Sequence, residues 1–358
     1  MQRHPALRWL VPLGVVCLAG LAAVGVLRAR GTSDTLPKAV PAALVSAVQH
    51  NEDAGFSGTV VSQLSLGLPA LYALPALAKR NGDASFSSLL DGSHTMQVWY
   101  GGRDRQRVAL LGAGEETDLF RNGSDLWQWS SSDGVAVHTK LKQHAGLALD
   151  EQPAEALTPA SLAASALSAL DPDTSLSVDD EVTVADRRAY ELVMTPHSDA
   201  TKIGSVHVAI DGVTKVPLGV QIYPKGSTSA AIDVAFTTIR FGMPAERNFQ
   251  FDPPANATVS EVGSQLTALR TPAAAVAAVT GSGWTTVYRL HAGTKHTGHA
   301  AVTADAFRDM SQVSGHWGKG RLVESPMLSM LVTKDGRVFA GAVEPARLYA
   351  VAAKAARQ

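Results

Sequence analysis

Three histidines that lie close together in the sequence are the residues best suited to bind a metal ion. His291, His296 and His299 belong to a polar stretch that also contains Gly293 and Gly298. Two or three imidazoles can ligate a transition metal. The stretch has no nearby carboxylate or cysteine to complete a set of ligands, so a solvated loop is the preferred interpretation. The sequence therefore predicts neither a metal nor another cofactor.

Acidic residues that stand side by side are the next candidates for chemistry. They form a pair, Glu115 and Glu116, and a triplet over 179–181, both at the edges of expected loops, where solvated turns explain them. A glycosidase needs two carboxyl groups about 5–9 Å apart across a cleft, and the spacing places no such pair. The sequence also lacks a nucleophile elbow, a phosphate-binding glycine loop and a zinc-protease helix. We therefore predict that the protein is not an enzyme.

The composition indicates a folded protein that does not bind nucleic acid. Of 358 residues, 46% are hydrophobic and 18% are charged, which argues against a mainly disordered chain. The formal net charge is −1, and the lysines and arginines are scattered rather than gathered into the basic stripe that phosphate-backbone binding requires. Because Cys17 is the one cysteine, an internal disulfide and a thiolate metal site are excluded.

Residues 1–30 predict an N-terminal transmembrane signal anchor. Arg3 and Arg8 come before or at the start of an apolar segment, and residues 9–27 contain no charge. As a helix, these nineteen residues would be roughly 28 Å long, close to the thickness of the bilayer core. A cleaved secretory signal usually has a shorter apolar region of about 7–15 residues. Cleavage near Gly25, with Ala23 upstream of the cut, is the alternative.

Cys17 lies within this apolar segment and allows two interpretations. A lipidated cysteine would need a small residue directly before it, whereas Val16 stands there. A buried apolar cysteine in a membrane helix is therefore preferred. In each case the rest of the chain lies outside the cytoplasm, so we predict a single-pass cell-membrane protein whose main domain is extracytoplasmic.

Changes in composition divide the remaining chain into four parts. Residues 31–40 are polar and contain proline, as is typical of a short linker. Residues 41–262 contain most of the strand-like segments and form the expected main domain. Residues 263–282 are rich in alanine and predict a linker or a short helix, and residues 283–358 are expected to form a small C-terminal α+β domain.

An alternation with a period of two residues predicts antiparallel strands in the first half of the main domain. Met96, Val98 and Tyr100 alternate with their neighbours as in a half-buried strand. Asn122-Gly123 lies between two strand-like runs and is the strongest signal for a tight hairpin, and Asp133-Gly134 predicts a second turn. These connections are too short for parallel crossovers, so the strands must meander.

The second half of the main domain begins with a helix and returns to strands. The helix is predicted over 151–170, with Asp171-Pro172 as its stop signal. The strands that follow are predicted over 187–196, 204–211, 217–224 and 230–241.

The C-terminal domain is predicted to mix short strands and helices. A strand is expected over 285–290, and a helix over 303–314 with Thr303 as its N-cap. A hairpin should turn at Asp335-Gly336, and residues 345–355 predict a final helix.

An excess of apolar surface is the positive functional signal in this sequence. A sheet of many antiparallel strands must cover one face, and a single helix covers only part of it. The leucine-rich segment over 64–77 is interrupted by Gly67, Pro69 and Pro75, so it suits a loose cover. A curved sheet under such a cover would enclose a cavity for hydrocarbon. The alternative is that these leucines complete the core.

The side chains expected to line this cavity are apolar or aromatic and come from the leucine-rich segment and the strands. They are Leu66, Leu68, Leu71, Leu74, Trp127, Trp129, Tyr190, Leu192, Met194, Ile222 and Phe236. A guest chain would gain about 0.8 kcal/mol for each methylene it buries, so it could bind without a polar contact.

The order of these segments resembles the LolA superfamily, and in particular its RseB-like (MucB-like) members from high-GC Gram-positive, actinobacterial species. The run SLLDGSHTMQVWYGGRDRQRVALL, followed by ETDLFRNGSDLWQWSS and VAVHTKL, shows a strand, a basic turn, a second strand and a hairpin that leads to a tryptophan-bearing strand. The run AYELVMTP, GSVHVAID, VPLGVQIYP and IDVAFTTIRFGMP resembles the second half of the family and ends in the F-x-F-x-P-P pattern at 249–254. The resemblance covers roughly residues 40–262.

This resemblance implies an α+β fold with a curved antiparallel sheet, an unclosed half β-barrel, under a helical and leucine-rich lid. In LolA the cavity carries acyl chains of lipoproteins between membranes, and in RseB-like relatives a second domain binds an anti-sigma factor. A permanent anchor forbids shuttling and favours a local holder or a sensor. The resemblance thus implies two functions: a lipid or lipoprotein carrier, and a regulator of an anti-sigma-factor pathway whose C-terminal domain binds a membrane protein, such as an anti-sigma factor or a transporter.

Overall fold

The computed structural model describes residues 35–50, 55–67, 92–141, 158–262, 276–290 and 310–357. The chain divides after Pro37, and the residues from Lys38 onward form one compact unit. In these ranges no helix is long and apolar enough to cross a bilayer. The anchor predicted over 9–27 lies outside the described residues, as do Leu68, Leu71 and Leu74.

A large sheet contains twelve of the described strands. They are β1 (Phe56–Leu64), β2 (Gly92–Tyr100), β3 (Arg105–Leu111), β4 (Glu116–Asn122), β5 (Asp125–Ser130), β6 (Val135–Lys140), β7 (Thr174–Val184), β8 (Arg187–Pro196), β9 (Ile203–Asp211), β10 (Pro217–Pro224), β11 (Ile232–Phe241) and β12 (Thr258–Val262). Their order in space is β12-β6-β5-β4-β3-β2-β1-β11-β10-β9-β8-β7. All neighbours are antiparallel except β12 and β6, which are parallel. The sheet thus has two edges, β12 and β7, and the predicted unclosed antiparallel sheet is confirmed.

A second, smaller sheet follows in the sequence. Its strands are β13 (Val276–Thr280), β14 (Val287–Leu290), β15 (Ser311–Gly315), β16 (Gly318–Glu324), β17 (Ser329–Thr333) and β18 (Val338–Gly341), in the spatial order β13-β14-β18-β17-β16-β15. The three described helices are α1 (Pro41–Gln49), α2 (Pro159–Ser168) and α3 (Pro345–Ala355). Helix α3 packs on β17 and β18 and encloses a separate small core. The predicted C-terminal α+β unit is therefore present, whereas the predicted domain boundaries stay a prediction.

Proline and glycine set the ends of several elements. Each of the three helices has a proline in its first turn, where a missing N–H costs no hydrogen bond. Thr158 caps α2, since its hydroxyl accepts from the backbone N–H of Ser161. The β4–β5 hairpin turns at Gly123 and Ser124, one residue later than predicted, with Gly123 at φ 62°. Glycine at the first of two turn positions is the preference of a type II′ turn.

Two segments of the C-terminal unit differ from the prediction. Residues 276–280, predicted as part of a linker or helix, form β13 and pair with β14. Residues 311–314, predicted as the end of a helix, belong to β15 (Ser311–Gly315) and pair with β16. Thr303 and the start of that helix lie outside the described residues. The short alanine-rich and serine-rich segments have weak preferences of their own, so pairing with a neighbouring strand decides their structure.

The register of the large sheet separates an inner face from an outer face. One row of the inner face runs Leu192, Val208, Val220, Val234 and Ser62 across β8, β9, β10, β11 and β1. A second row continues from Phe236 through Val60, Met96 and Leu110 to Thr117 on β4. Apart from Ser62 and Thr117, both rows are apolar, and their side chains are buried. The inner face is therefore the main core of the molecule.

The two sheets are tied together by polar contacts. Lys202 lies in the connection from β8 to β9, directly before β9. Its buried ammonium donates to Glu324 at 2.8 Å and lies 3.9 Å from Glu344. The indole N–H of Trp284 donates to the hydroxyl of Thr174 at 2.8 Å. Since a buried ammonium requires a partner, these contacts hold the small sheet in a fixed place.

Candidate functional site

The inner face of β1–β6 is the first part of the candidate site. Its side chains form a single buried apolar cluster with those of β10 and β11, and the members from β1–β6 are Phe56, Val60, Leu64, Met96, Val98, Val108, Leu110, Leu119 and Leu126. Their positions alternate along each strand, so the sequence places them on one face for the reason that a pleated strand repeats every two residues. The result is a continuous apolar surface over β1–β5, and β6 borders it with the buried hydroxyl of Thr139.

The described helices pack mainly on the other half of this face. Helix α2 contacts β10 and β11, and α1 contacts β7 and α2. On the β1–β6 side, Leu66 and Leu141 pack against the cluster from the ends of the neighbouring segments. Leu66 stands directly before the leucine-rich residues 68–91 in the sequence. The β1–β6 half of the inner face is thus lined by apolar side chains, and the described helices make few contacts with it.

The structure brings some of the predicted cavity residues together and separates others. The register puts five of them, all from β8, β10 and β11, on the inner face: Tyr190, Leu192, Met194, Ile222 and Phe236. Of these five, Phe236 belongs to the apolar cluster described above, and Leu66 packs against that cluster. Trp127 and Trp129 share a face with each other, as expected, but it is the outer face, because Leu126, directly before Trp127, points inward. Whether any of these residues binds a ligand stays a prediction.

On the outer face, aromatic rings and an arginine form the second part of the candidate site. The Arg107 guanidinium lies 4.6 Å from the ring centroids of both Trp99 and Phe120. Phe251, from the segment after β11, stacks on Phe120 at 4.8 Å and lies near the rings of Trp127 and Trp129. Phe251 belongs to the F-x-F-x-P-P pattern, so that pattern has a packing role here. Each of these rings thus has at least one aromatic or cationic partner within the chain.

A buried carboxyl group lies beneath this aromatic cluster. Asp118 accepts from Nε of Arg107 at 2.8 Å, and Nη2 of the same guanidinium donates to Glu116 at 3.0 Å. Burial raises the pKa of Asp118 to about 7, because desolvation and the neighbouring Glu116 outweigh the lowering effect of Arg107. The sequence predicts a solvated turn for Glu115 and Glu116. Glu116 instead takes part in a partly buried ionic cluster.

His138 fastens the edge strand β12 to the rest of the sheet. Its Nε2 lies 2.8 Å from Asp125 Oδ1, its Nδ1 lies 2.8 Å from Glu261 Oε2, and its ring stacks on Trp127. Glu261 belongs to β12, which pairs in parallel with β6. The sequence gives no signal for this contact, since 123 residues separate the two partners.

A polar row on the outer face of β8–β10 has the shape of a nucleophile with its base. The hydroxyl of Ser205 lies 3.0 Å from Nε2 of His207, and Nδ1 of His207 lies 3.3 Å from Glu191. Hydrolysis by such a set also needs donors aimed at an oxyanion. On β10 the side-chain donors are already engaged, since Tyr223 donates to Gln221 and Gln221 donates to Asp233. The geometry therefore supports a hydrogen-bonded surface row rather than an acyl-transfer site.

Metal binding finds no support in the described residues. Within the six described ranges, no group of three histidine, cysteine, aspartate or glutamate side chains could hold a metal ion. His291, His296 and His299 lie outside those ranges, so the solvated-loop interpretation stays a prediction.

Sequence reasoning missed two buried hydroxyl groups on the inner face. Ser62 lies between Val60 and Leu64 on the same face of β1, and Thr139 lies opposite Leu126 across the β5–β6 pair. Ser62 is 0% exposed and Thr139 is 2% exposed. A polar residue at an apolar position of an alternating strand is the signal that could have found them.

Comparisons with known proteins find similarity in structure but not in sequence. No family model and no curated protein sequence matches this chain. The MucA/MucB complex of Pseudomonas aeruginosa has a chain that is 16% identical, with a TM-score of 0.45, over 88% of this chain and 97% of that one. A LolA superfamily protein from Nitrosomonas europaea is 10% identical, with a TM-score of 0.23, over 60% and 99%. A lipoprotein-sorting protein domain from Vibrio parahaemolyticus, described as putative and outer-membrane, is 8% identical, with a TM-score of 0.23, over 58% and 96%.

Proposed function

We propose that this chain is a membrane-anchored, extracytoplasmic protein that holds acyl chains of a lipid or lipoprotein and performs no catalysis. The observation that supports this proposal most directly is the buried apolar cluster on the inner face of β1–β5, which lies away from the main contacts of α1 and α2. The acyl chain would lie on this half of the face. An anchor over 9–27 would keep the protein at the membrane from which the chain is taken.

The energy of such binding follows from hydrocarbon burial. Each methylene moved out of water contributes about 0.8 kcal/mol, so a chain of ten methylenes would contribute roughly 8 kcal/mol before the costs of association. Part of that gain would repay the displacement of Leu66 and Leu141, which pack against the cluster. Apolar contact alone is therefore strong enough to hold a lipid tail, and the tail's length should govern the affinity.

Mass spectrometry of copurified lipid tests this proposal. Residues 31–358 are purified without detergent, extracted with organic solvent and compared with a Val108→Asp variant, which places a charge on the inner face of β3. We expect one class of acyl lipid in the wild-type extract and its loss from the variant. A wild-type protein that repeatedly yields no lipid contradicts the proposal. Circular dichroism of both proteins shows whether the variant has kept its strands.

A second candidate function, a regulator that binds a membrane partner, is favoured by an exposed apolar pair on the small sheet. Val279 and Tyr288 lie opposite each other on β13 and β14 and are 57% and 44% exposed. Exposed apolar neighbours of this kind commonly mark protein contacts. MucB is crystallised in a complex with MucA, and an equivalent partner of this chain would be an anti-sigma factor or another membrane protein.

Crosslinking in cells tests the second function. A photoreactive amino acid at position 288 should capture one membrane protein, and Val279→Asp should abolish that capture. Val213→Asp is the matched control, because Val213 is also exposed but lies in the turn between β9 and β10 of the large sheet. Retention of the partner by Val279→Asp, or its loss from Val213→Asp, contradicts a docking role for the small sheet.

A further inference from the structure

We propose that the inner face selects acyl groups that carry an ester or amide carbonyl over bare hydrocarbon, and that the hydroxyls of Ser62 and Thr139 donate to those carbonyls. This inference rests on the proposed acyl-binding function and specifies the chemical class of its ligand. Its two residues lie on β1 and β6, the two border strands of the half-face to which the acyl chain is assigned.

Both hydroxyls are buried and have no hydrogen-bond partner among the described residues. Ser62 Oγ and Thr139 Oγ1 find no hydrogen-bond partner in the described part of the chain, although Ser62 is 0% and Thr139 is 2% exposed. Ser62 lies opposite Val234 and His94, in the row of aliphatic side chains from β8 to β11. Thr139 lies opposite Leu126. Neither hydroxyl can reach water, so each carries an unused donor at the apolar surface.

An unused buried donor is costly, and a ligand that supplies an acceptor removes that cost. A hydroxyl taken out of water without a hydrogen bond destabilises the folded state, whereas an alkyl side chain of similar size does not. A carbonyl oxygen accepts and does not donate, so it complements both hydroxyls. A bare alkane supplies no acceptor. The chemistry of the inner face would thus distinguish an acyl ester or amide from hydrocarbon of the same length.

The separation of the two hydroxyls determines how many acyl groups they serve. Five strand spacings of about 4.8 Å lie between β1 and β6, which gives about 24 Å along the sheet. One ester group cannot reach both positions. Each hydroxyl therefore serves a separate acyl group, which suits a ligand or a pair of ligands with more than one acyl chain.

Photolabelling of the full chain in detergent micelles tests the inference. Two probes are compared: a diazirine-bearing palmitate methyl ester, and a diazirine-bearing hexadecane that has no carbonyl. Removing the hydroxyls in the double variant Ser62→Ala and Thr139→Val should lower labelling by the ester about threefold to tenfold, the effect of losing a hydrogen bond at each site. Labelling by the hexadecane should stay unchanged. Loss of both labels together, or of neither, overturns the inference.

Ser329→Ala is the matched control. Ser329 Oγ is also fully buried and unpartnered in the described residues, but it lies on β17 of the small sheet. Its removal should change neither label. The unfolding midpoint of the double variant without probe should equal or exceed that of the wild type, and a lower midpoint would show that the hydroxyls have partners in the protein and overturn the inference. If neither probe labels the folded wild type above the heat-unfolded protein, the acyl-binding function itself fails.

Discussion

Two arginine–aspartate pairs, one in each half of the large sheet, have similar surroundings and opposite electrostatics. In the β1–β6 half, Arg107 lies between two aromatic rings and binds the buried Asp118. In the β7–β11 half, Arg187 lies 4.6 Å from the Phe241 ring and binds the buried Asp211 through two bonds, Nε to Oδ1 at 2.5 Å and Nη2 to Oδ2 at 3.0 Å. Burial and an arginine partner are thus common to both carboxyl groups.

The difference lies in the other groups around each carboxyl. Burial alone would raise the pKa of Asp211, but hydrogen bonds from Arg187 and from the backbone and hydroxyl of Thr214 outweigh it, and the pKa lies below the ordinary value. Desolvation by burial raises the pKa of Asp118 to about 7, because Asp118 shares its arginine with Glu116 and has no such additional donors among the described residues. Desolvation, a second carboxylate and the number of donors together decide the ionisation of each carboxyl, and an arginine partner alone does not.

Removing the carboxyl with many donors should have the largest effect on stability. Asp211→Ala leaves the partly buried Arg187 without its counter-charge and Thr214 without its acceptor, so the free energy of unfolding should fall by about 4 kcal/mol. Urea denaturation measures this change. Arg188→Ala is the control, since Arg188 pairs with Glu181 at the surface and should cost less than about 1 kcal/mol. If Asp211→Ala lowers the free energy of unfolding by less than about 1 kcal/mol, the bonds from Arg187 and Thr214 to Asp211 contribute little to stability.

The two halves of the inner face should differ in function while they agree in stability. Leu126 and Leu192 are both buried, and Leu→Ala at either should lower the free energy of unfolding by about 3 kcal/mol through the cavity that it creates. Only Leu126→Ala lies on the half assigned to the acyl chain, so only it should change the copurified lipid. Denaturation and lipid mass spectrometry measure the two effects. Equal effects on lipid would contradict the assignment to β1–β6.

The raised pKa of Asp118 predicts a pH-dependent stability that the other half should not share. Between about pH 4 and pH 7 the folded state keeps a proton on Asp118 that the unfolded chain releases, so the free energy of unfolding falls as the pH rises. Asp118→Asn removes this dependence. The wild type should therefore lose on the order of 2 kcal/mol relative to the variant between pH 4 and pH 8.

Thermal unfolding followed across this pH range measures the difference. Asp104→Asn is the control, because Asp104 pairs with Arg121 but its side chain is 75% exposed. That variant should follow the wild-type pH profile. If the profile of Asp118→Asn also remains parallel to that of the wild type, then Asp118 is already ionised at pH 4 and the comparison between the two carboxyl groups is wrong.

The sequence was sufficient for local features and insufficient for those that depend on distant neighbours. The alternation over 187–196 and the turn at Asp133-Gly134 predicted strands and a hairpin that the structure has, because side-chain period and turn chemistry act within a few residues. Strand β13 was not predicted, because its structure depends on pairing with β14 rather than on its alanine-rich composition.

The candidate site shows the same division. Alternation placed Trp127 and Trp129 on a common face, but it could not decide which face, since that depends on Phe251 more than a hundred residues later. The Arg187–Asp211 pair likewise joins the start of β8 to the end of β9 across 24 residues. Register and packing supply this information, and neither is encoded in the spacing of a short segment.

The smallest predicted effect concerns the turn beside Arg187. Ala185 and Asp186 join β7 to β8 with φ of 50° and 58°, a left-handed conformation that costs alanine roughly 1 kcal/mol and glycine almost nothing. Glycine loses more entropy than alanine on folding, and this cost offsets part of the relieved strain. Ala185→Gly should therefore raise the free energy of unfolding by about 0.5 kcal/mol. Ala169→Gly is the control, because Ala169 has φ −83° and should lose a similar amount. Denaturation curves of equal midpoint for the two variants would show that the turn at Ala185 is unstrained. The turn that precedes Arg187, the partner of Asp211, would then cost no conformational energy.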